Sequence, residues 1–321
     1  MPIYYGGKKV KSLYFGGKKI ASAWYGGKCV YRSLTFLTTP VQVWQWTAPS
    51  TVHSVAVDSQ FNVYAGDDNG YVTKLDSNGN KVWQWNAQSC VHSVAVDSKF
   101  NVYAGAGDGD NSGYVTKLDI NGKQIWQWNA VRSVSSVAVD SQFNVYAGVS
   151  DLGYVTKLDS NGNQVWQPSV RGVINSVAVD SQFNVYAGDG AYDKCIHKLD
   201  STGKQVWQWT APDAVNSVAV DSQFNVYAGD DSGYVTKLDS TGKKIWQWQA
   251  PGNVLSVAVD SKFNVYAGDF NQYVTKLDST GKQLWQWNAQ NGVNAVAVDS
   301  RFNVYAGGFS HHVTKLETAK Q

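Results

Sequence analysis

Most of this chain is written in short extended phrases, apolar and polar residues interleaved, set off by clusters of Asp, Asn, Ser and Gly. From Val52 the sequence reads VHSVAV, a run of six ending at Val57, before Asp58. Residues 62–65 form a second run after the turn at 58–61. YVTKL (Tyr71–Leu75) is a third, after Asp68-Asn69-Gly70, and residues 81–85 are a fourth, after Ser77-Asn78-Gly79-Asn80. Val, Tyr, Thr and Trp fill the runs and turn formers separate them, so the pattern predicts four strands, A to D, joined by tight turns.

This unit recurs. The phrase SVAVDSQFNVYAG starts at Ser54 and returns with small changes at Ser93, Ser136, Ser176, Ser217, Ser256 and Ala295. Its Asp falls at Asp58, Asp97, Asp140, Asp180, Asp221, Asp260 and Asp299, at spacings of 39, 43, 40, 41, 39 and 39. YVTKLDS follows each copy, and a VWQW phrase places its first Trp at Trp44, Trp83, Trp126, Trp166, Trp207, Trp246 and Trp285. Four strands in about forty residues make a propeller blade. Residue size agrees: strand A offers Ser, Val and Ala, where blades crowd the axis, and strand D offers Trp, where they fan apart. The expectation is an all-β, seven-bladed β-propeller over residues 41–321.

The order of phrases predicts how the ring closes. The first VWQW precedes any strand A, and the last copy stops at residues 313–316 with no VWQW behind it. Residues 41–46 therefore supply strand D of the last blade, beside residues 313–317, which removes an open sheet edge. Pro168 stands where the fourth VWQW copy should carry its second Trp, as befits an edge strand. The seven-fold Asp of VAVDS is read as structural, opening a turn by accepting backbone N–H groups.

VAVDSQFNVYAG followed by VTKLDSNGNKVW resembles NHL-type and related bacterial β-propeller repeats. Their usual form carries Gly where Phe61, Phe100, Phe143, Phe183, Phe224, Phe263 and Phe302 stand here; the Trp-Asp and Gly-His signature of WD repeats is absent. The resemblance implies an architecture and leaves activity open.

Residues 1–33 carry a different repeat: IYYGGKKVKS, LYFGGKKIAS, AWYGGKCVYR. Gly6-Gly7, Gly16-Gly17 and Gly26-Gly27 between β-forming residues are two-residue hairpin signals, and the expectation is a four-stranded antiparallel meander joined to the propeller by a linker at 34–40. So short a meander buries little surface alone and needs a partner surface or copies of itself. The decapeptide pattern is similar to the start of many bacteriophage tail, baseplate and other virion proteins, which implies a particle-proximal end with a variable domain behind it. Tyr5, Lys8, Lys9, Phe15, Lys18, Lys19, Trp24 and Tyr25 are the expected attachment residues.

The copies differ mainly in their B–C and D–A loops, which propeller topology puts on one face; the A–B and C–D turns of the other face barely change. Loops on a rigid scaffold are where recognition is built. The candidate ligand-binding residues are His53, His92, Asp108, Asp110, Asn175, Tyr192, Asp193, Asn216, Phe270, Asn294, His311 and His312. Five of these, with Ser135 and Leu255, attract attention by position: His53, His92, Asn175, Asn216 and Asn294 each stand two residues before a VAVD phrase and are expected to form a polar ring at the central mouth. Four of the five histidines fall in blades that closure makes neighbours. No Cys or Asp joins them at a ligand-like spacing, so no transition metal is expected. Asp108, Asp110 and Ser112, with Asp119 at the twelfth position, match a calcium loop on paper, but Asp119 belongs to the repeat background and a strand follows rather than a helix.

Composition narrows the function. Of 321 residues 43% are hydrophobic and 16% charged, enough apolar content for a core. The net charge of +2 conceals seven basic groups and no acid in residues 1–33, leaving −5 for the rest. MPIYYGGKKV has no apolar stretch to act as a secretory signal, no run is long enough to span a membrane, and three scattered cysteines indicate no disulfide framework. No activated nucleophile, phosphate loop or asymmetric carboxylate pair stands out, so neither an enzyme nor a cofactor is expected. The basic segment suits an acidic protein surface better than nucleic acid. The reading is a virion-associated protein whose N-terminal repeat attaches or oligomerises and whose propeller binds a host-surface glycan or protein. The alternative is a structural or decoration protein, or a soluble cytoplasmic one.

Overall fold

A computed structural model describes residues 40–108, 112–150, 152–170, 172–190 and 193–317, together with the backbone of six short strands between residues 4 and 32. The chain divides into two units, residues 1–38 with 319–321, and residues 39–318. The larger unit holds seven four-stranded antiparallel sheets. Their A strands (Val52–Val57, Val91–Val96, Val134–Val139, Ile174–Val179, Val215–Val220, Val254–Val259 and Val293–Val298) touch in sequence order and the last touches the first. This is a seven-bladed β-propeller, and among the described residues there is no helix.

Closure follows the expected route. Val41–Thr47 pairs with His312–Glu317, with Trp46 opposite Val313 and Trp44 opposite Lys315. In the first blade, strands A and C have the predicted bounds, while B runs Val63–Asp67 and D runs Lys81–Asn86. Where Pro168 interrupts the repeat, strand D shrinks to Gln164–Trp166, because proline has no N–H to continue the ladder.

Each blade is organised by its A–B turn. Asp58 Oδ1 accepts the N–H groups of Gln60 and Asn62 at 2.8 and 2.9 Å. Its Oδ2 accepts Asn62 Nδ2 at 2.8 Å and the hydroxyl of Tyr64 at 2.9 Å. The same four bonds recur from Asp97, Asp140, Asp180, Asp221, Asp260 and Asp299. Four donors satisfy a carboxylate that is nearly out of contact with water. The tyrosine it anchors is fully buried and lies in one register row with a lysine of strand C and the first tryptophan of strand D: Tyr64, Lys74 and Trp83 in the first blade. Lys74 places its ammonium 5.4 Å from the Tyr64 ring centre, and Trp83 packs tilted on Tyr64 at 6.0 Å.

The phenylalanine of each A–B turn sits in the left-handed region, with φ of 66–68° in all seven copies. That conformation costs a non-glycine residue about 1–2 kcal/mol. Here the ring gains a contact across the blade boundary: Lys99 lies 4.1 Å from the Phe143 centre, Lys262 4.4 Å from Phe302 and Arg301 3.8 Å from Phe61.

Two further kinds of contact tie neighbouring blades, each at six of the seven boundaries among the described residues. The first Trp of strand D donates its indole N–H to a C–D turn carbonyl of the following blade, as Trp44 does to Ser77 at 3.0 Å. It also covers the glycine of that turn so closely that a Cβ at Gly79 would meet the Trp44 ring at 2.8 Å. Nearer the axis, Ser54 Oγ accepts the N–H of Val94 at 3.0 Å, and Ser93, Ser136, Ser176, Ser217 and Ser256 serve the following blades alike. In the seventh blade the position is Ala295, which has no hydroxyl to offer Val55.

The expected four-stranded meander of the smaller unit falls partly outside the described residues. Its described strands pair as three separate hairpins, Tyr4–Tyr5 with Lys8–Lys9, Tyr14–Phe15 with Lys18–Lys19, and Ser22–Tyr25 with Lys28–Arg32. Tyr5 faces Lys8, Phe15 faces Lys18 and Tyr25 faces Lys28, so each pairing closes over two residues as the Gly-Gly signals predict. A Gly-Gly turn specifies only the pairing of its own flanks. Residues 10–13 and 20–21, which would carry a meander from one hairpin to the next, lie outside the described residues.

Replacing Ala295→Ser should supply the missing hydroxyl at the boundary between the seventh and first blades and stabilise the ring by about 1 kcal/mol, the usual net worth of such a bond. Ser217→Ala should cost a similar amount. Thermal unfolding of both variants beside the parent checks the pair, and an Ala295→Ser variant no more stable than the parent refutes the assignment.

Candidate functional site

The B–C and D–A loops surround a central mouth of about 730 Å³. All seven residues of the expected ring line it: His53, His92, Ser135, Asn175, Asn216, Leu255 and Asn294. Several of them work between blades. Asn175, Asn216 and Asn294 each donate an amide N–H at 3.2 Å to the first strand-A carbonyl of the next blade, at Val215, Val254 and Val52. Ser135 does the same to Ile174. These side chains hold the rim in shape, a role the ring pattern alone did not reveal.

The two histidines of the ring turn elsewhere. His53 Nε2 is paired with Asp68, and His92 Nε2 donates to the carbonyl of Gly107 at 3.0 Å. Their rings lie 5.9 Å apart. Between them stands Cys90, whose Sγ is 3.3 Å from Asp68 Oδ1 and 3.6 Å from His92 Nδ1. Asp108 accepts the Ser89 hydroxyl at 2.5 Å and the Cys90 N–H at 3.3 Å. Burial, reinforced by the Asp68 carboxylate, pushes the Cys90 thiol up to about 12, so it is a poor nucleophile despite its histidine neighbours. Burial likewise lowers the pKa of His92. For Asp68, burial pulls upward, but the bond and charge of His53 together with the bonds from Cys90 and Thr51 outweigh it and hold its carboxyl below the ordinary range.

The opposite chemistry occupies the wall formed by the sixth and seventh blades. Phe270 and Phe309 meet edge to face at 5.8 Å, and Leu255 lies beside them on the mouth. Phe270 is 57% exposed and Phe309 37%. Both also line an adjoining depression of about 750 Å³ with Asn271, Tyr273, Asn288 and Asn291. One face thus presents an imidazole, thiol and carboxylate wall beside an aromatic wall, with hydroxyl and amide groups completing the circle.

The remaining expected residues are dispersed. His311 and His312 do not join the other two histidines: His312 begins a C strand and contacts Thr47 Oγ1 at 3.2 Å, while His311 occupies the preceding turn. The expected gathering of four imidazoles reduces to two: His53 and His92 hold the ring position after the first strand-A residue, whereas His311 and His312 lie at the entry to strand C. Asp193 donates its N–H to Asp189 and accepts Cys195 Sγ at 2.9 Å. Tyr192 and Asp110 lie outside the described residues. The paper calcium loop comes apart, since Asp119 binds the N–H groups of Asn121 and Lys123 in a C–D turn, separated from Asp108 and the exposed Ser112 by the strand Gly113–Leu118. The fifth histidine, His197, is buried in the fourth blade where other blades carry Thr, and burial holds its pKa down.

Asp68, Cys90 and Phe309 escaped the reading of the chain. Their signal lay in the repeat columns: Cys90 is the residue before strand A, and Asp68 and Phe309 are the residue after strand B's last loop-side position, matched by Gly107, Ser150, Gly190, Asp231 and Phe270. Spacing along one copy cannot show that these two columns converge across a blade boundary.

Residues 192–320, about two fifths of the chain, match the PQQ_2 family, described as outer membrane protein assembly factor BamB. The match is a propeller repeat, in keeping with the fold. No curated protein matches the chain.

A carboxylate of this face tunes stability to pH. Asp230 ends the B strand Val226–Asp230, is 2% exposed and accepts the Tyr234 N–H at 2.9 Å. Burial, with the nearby Asp213 and Asp231, raises its pKa from 3.8 to about 6. The folded state then holds more protons than the unfolded one between those values, so its contribution is present below pH 4 and lost as pH rises through 6. Asp230→Asn keeps the accepting oxygen and removes the charge. It should match the parent near pH 4 and exceed it at pH 7.5 by up to about 3 kcal/mol; an equal melting temperature at both pH values excludes the effect.

Proposed function

We propose that this chain is a non-enzymatic binding module whose B–C and D–A face, centred on the mouth, holds a partner. One contrast carries the reading. The A–B turns keep the same four Asp bonds and the same left-handed Phe through seven blades, whereas the opposite face is different in every blade. An unchanging scaffold with a divergent rim is the arrangement of a recognition surface. The exposed Phe270 and Phe309 beside polar groups supply an apolar anchor with a polar surround, the usual composition of a contact hot spot. The description of the matched family as an assembly factor supports a partner that is itself a protein, and the protonated Cys90 thiol supports the absence of nucleophilic chemistry.

The finer reading is a virion-associated protein that attaches through its basic hairpins, Tyr5, Lys8, Lys9, Phe15, Lys18, Lys19, Trp24 and Tyr25 included, and presents the propeller to a host-surface protein or glycan. It rests on the likeness of the decapeptide repeat to virion proteins and on the charge contrast between the two units. Several copies on one particle would let weak single sites act together.

The full chain, displayed multivalently on beads, should bind host cells or a glycan array. A Phe270→Ala/Phe309→Ala double variant should bind at least about tenfold more weakly with an unchanged melting temperature. Lys99→Gln, on the opposite face, should bind as the parent does. Equal binding by the double variant removes the mouth from the assignment; no binding by any form leaves the propeller as a structural part of an assembly.

A further inference from the structure

His53, Asp68 and Cys90 bring an imidazole nitrogen, a carboxylate oxygen and a sulfur within 4.8 Å of one another. They come from three different segments: strand A and the B–C loop of the first blade, and the residue before strand A of the second. His92 adds a fourth donor, with Nδ1 3.6 Å from Cys90 Sγ. We propose that these four side chains form a binding site for a single divalent transition-metal ion of the zinc class, at the mouth of the propeller across the boundary between the first and second blades.

The donor types agree with that ion, and so do the two separations measured from the sulfur. Tetrahedral zinc bonds of about 2.0–2.3 Å place its ligand atoms about 3.3–3.8 Å apart. The sulfur already stands 3.3 Å from Asp68 Oδ1 and 3.6 Å from His92 Nδ1. A mixed sulfur, nitrogen and oxygen set favours zinc over calcium or magnesium, which take oxygen.

A second observation is independent of the cluster's composition. His92 donates its Nε2–H to the Gly107 carbonyl, which leaves Nδ1 as the lone-pair nitrogen and points it at the sulfur. A backbone carbonyl fixing the far side of the ring is the outer-shell arrangement that metal-bound histidines keep. Asp108, bonded to the Cys90 N–H and to Ser89, adds negative charge beside the site and braces the cysteine. On coordination the thiol proton leaves to solvent and the dication takes its place between the carboxylates.

The protein contains its own control. The same three columns meet between the fifth and sixth blades as Asn216, Asp231 and Asn253, where Asp231 Oδ1 accepts both amides, at 2.7 and 3.2 Å. There the scaffold's convergence is satisfied by hydrogen bonds alone. At the first junction the two amides are replaced by His53 and Cys90, so the same geometry carries ligating groups.

Cobalt(II) titrated into the metal-free full chain reads the site directly, since a thiolate ligand gives a near-ultraviolet charge-transfer band. The band should saturate at one ion per chain and be displaced by zinc. Cys90→Ser should abolish it, His53→Asn should weaken binding at least about tenfold, and Cys29→Ser should leave it intact. Zinc should raise the melting temperature of the parent but not of Cys90→Ser, whose metal-free melting temperature checks that it folds. Absence of the band in the parent, or its survival in Cys90→Ser, overturns the site; unaltered affinity in His92→Asn overturns the place of His92 in it.

Discussion

The buried carboxylate at each A–B turn, bonded to two backbone amides, an asparagine and the hydroxyl of the blade's central tyrosine, sets the geometry from which the rest follows. An ionised group out of reach of water is tolerated only when its acceptor sites are filled. Filling them fixes the turn, the rotamer of the tyrosine and, through the register row, the lysine and tryptophan outside it. Tryptophan then reaches the C–D turn of the following blade. A chain of local demands thus becomes a rule for joining blade to blade, and it runs in one direction round the ring.

That directionality makes the propeller resemble a cyclic oligomer of seven head-to-tail subunits in a single chain, each offering the same donor surface and the same acceptor surface. The stability of the frame is held on the A–B and C–D face and along the seams. Beyond the rim bonds and Asp230, the loops of the other face carry little of that work and are free to differ, which is how one repeat carries a thiol and imidazole wall, an aromatic wall and an amide rim around one opening. The same separation allows the first junction to hold a metal without any change in the scaffold.

The blades, their number and the closure by residues 41–46 were legible because each is a matter of repeated text and tight-turn chemistry. The Asp of VAVDS announced its role for the same reason. The central ring was legible as a set of positions, but the bonds of Asn175, Asn216 and Asn294 to the next blade were not, since they cross blade boundaries between residues 40, 38 and 242 apart. The site at His53 and Cys90 was hidden for a related reason: its residues become neighbours only where two loops from adjacent blades converge. The hairpins of residues 4–32 showed their turns in advance, because Gly-Gly pairs act locally, while the pairing of one hairpin with the next depends on contacts that no dipeptide encodes.

Closure by the opposite end of the propeller also imposes a timetable. Thr47 and His312 are 265 residues apart in the chain. At about 5–20 residues per second, the strand Val41–Thr47 waits roughly 13–53 s on the ribosome before its partner exists. During that interval it is an unpaired edge bearing Trp44 and Trp46. The polar Gln42, Gln45 and Thr47 interspersed along it are then as much a feature of the nascent chain as of the finished one, keeping soluble the strand of the propeller that is made before the others and paired last.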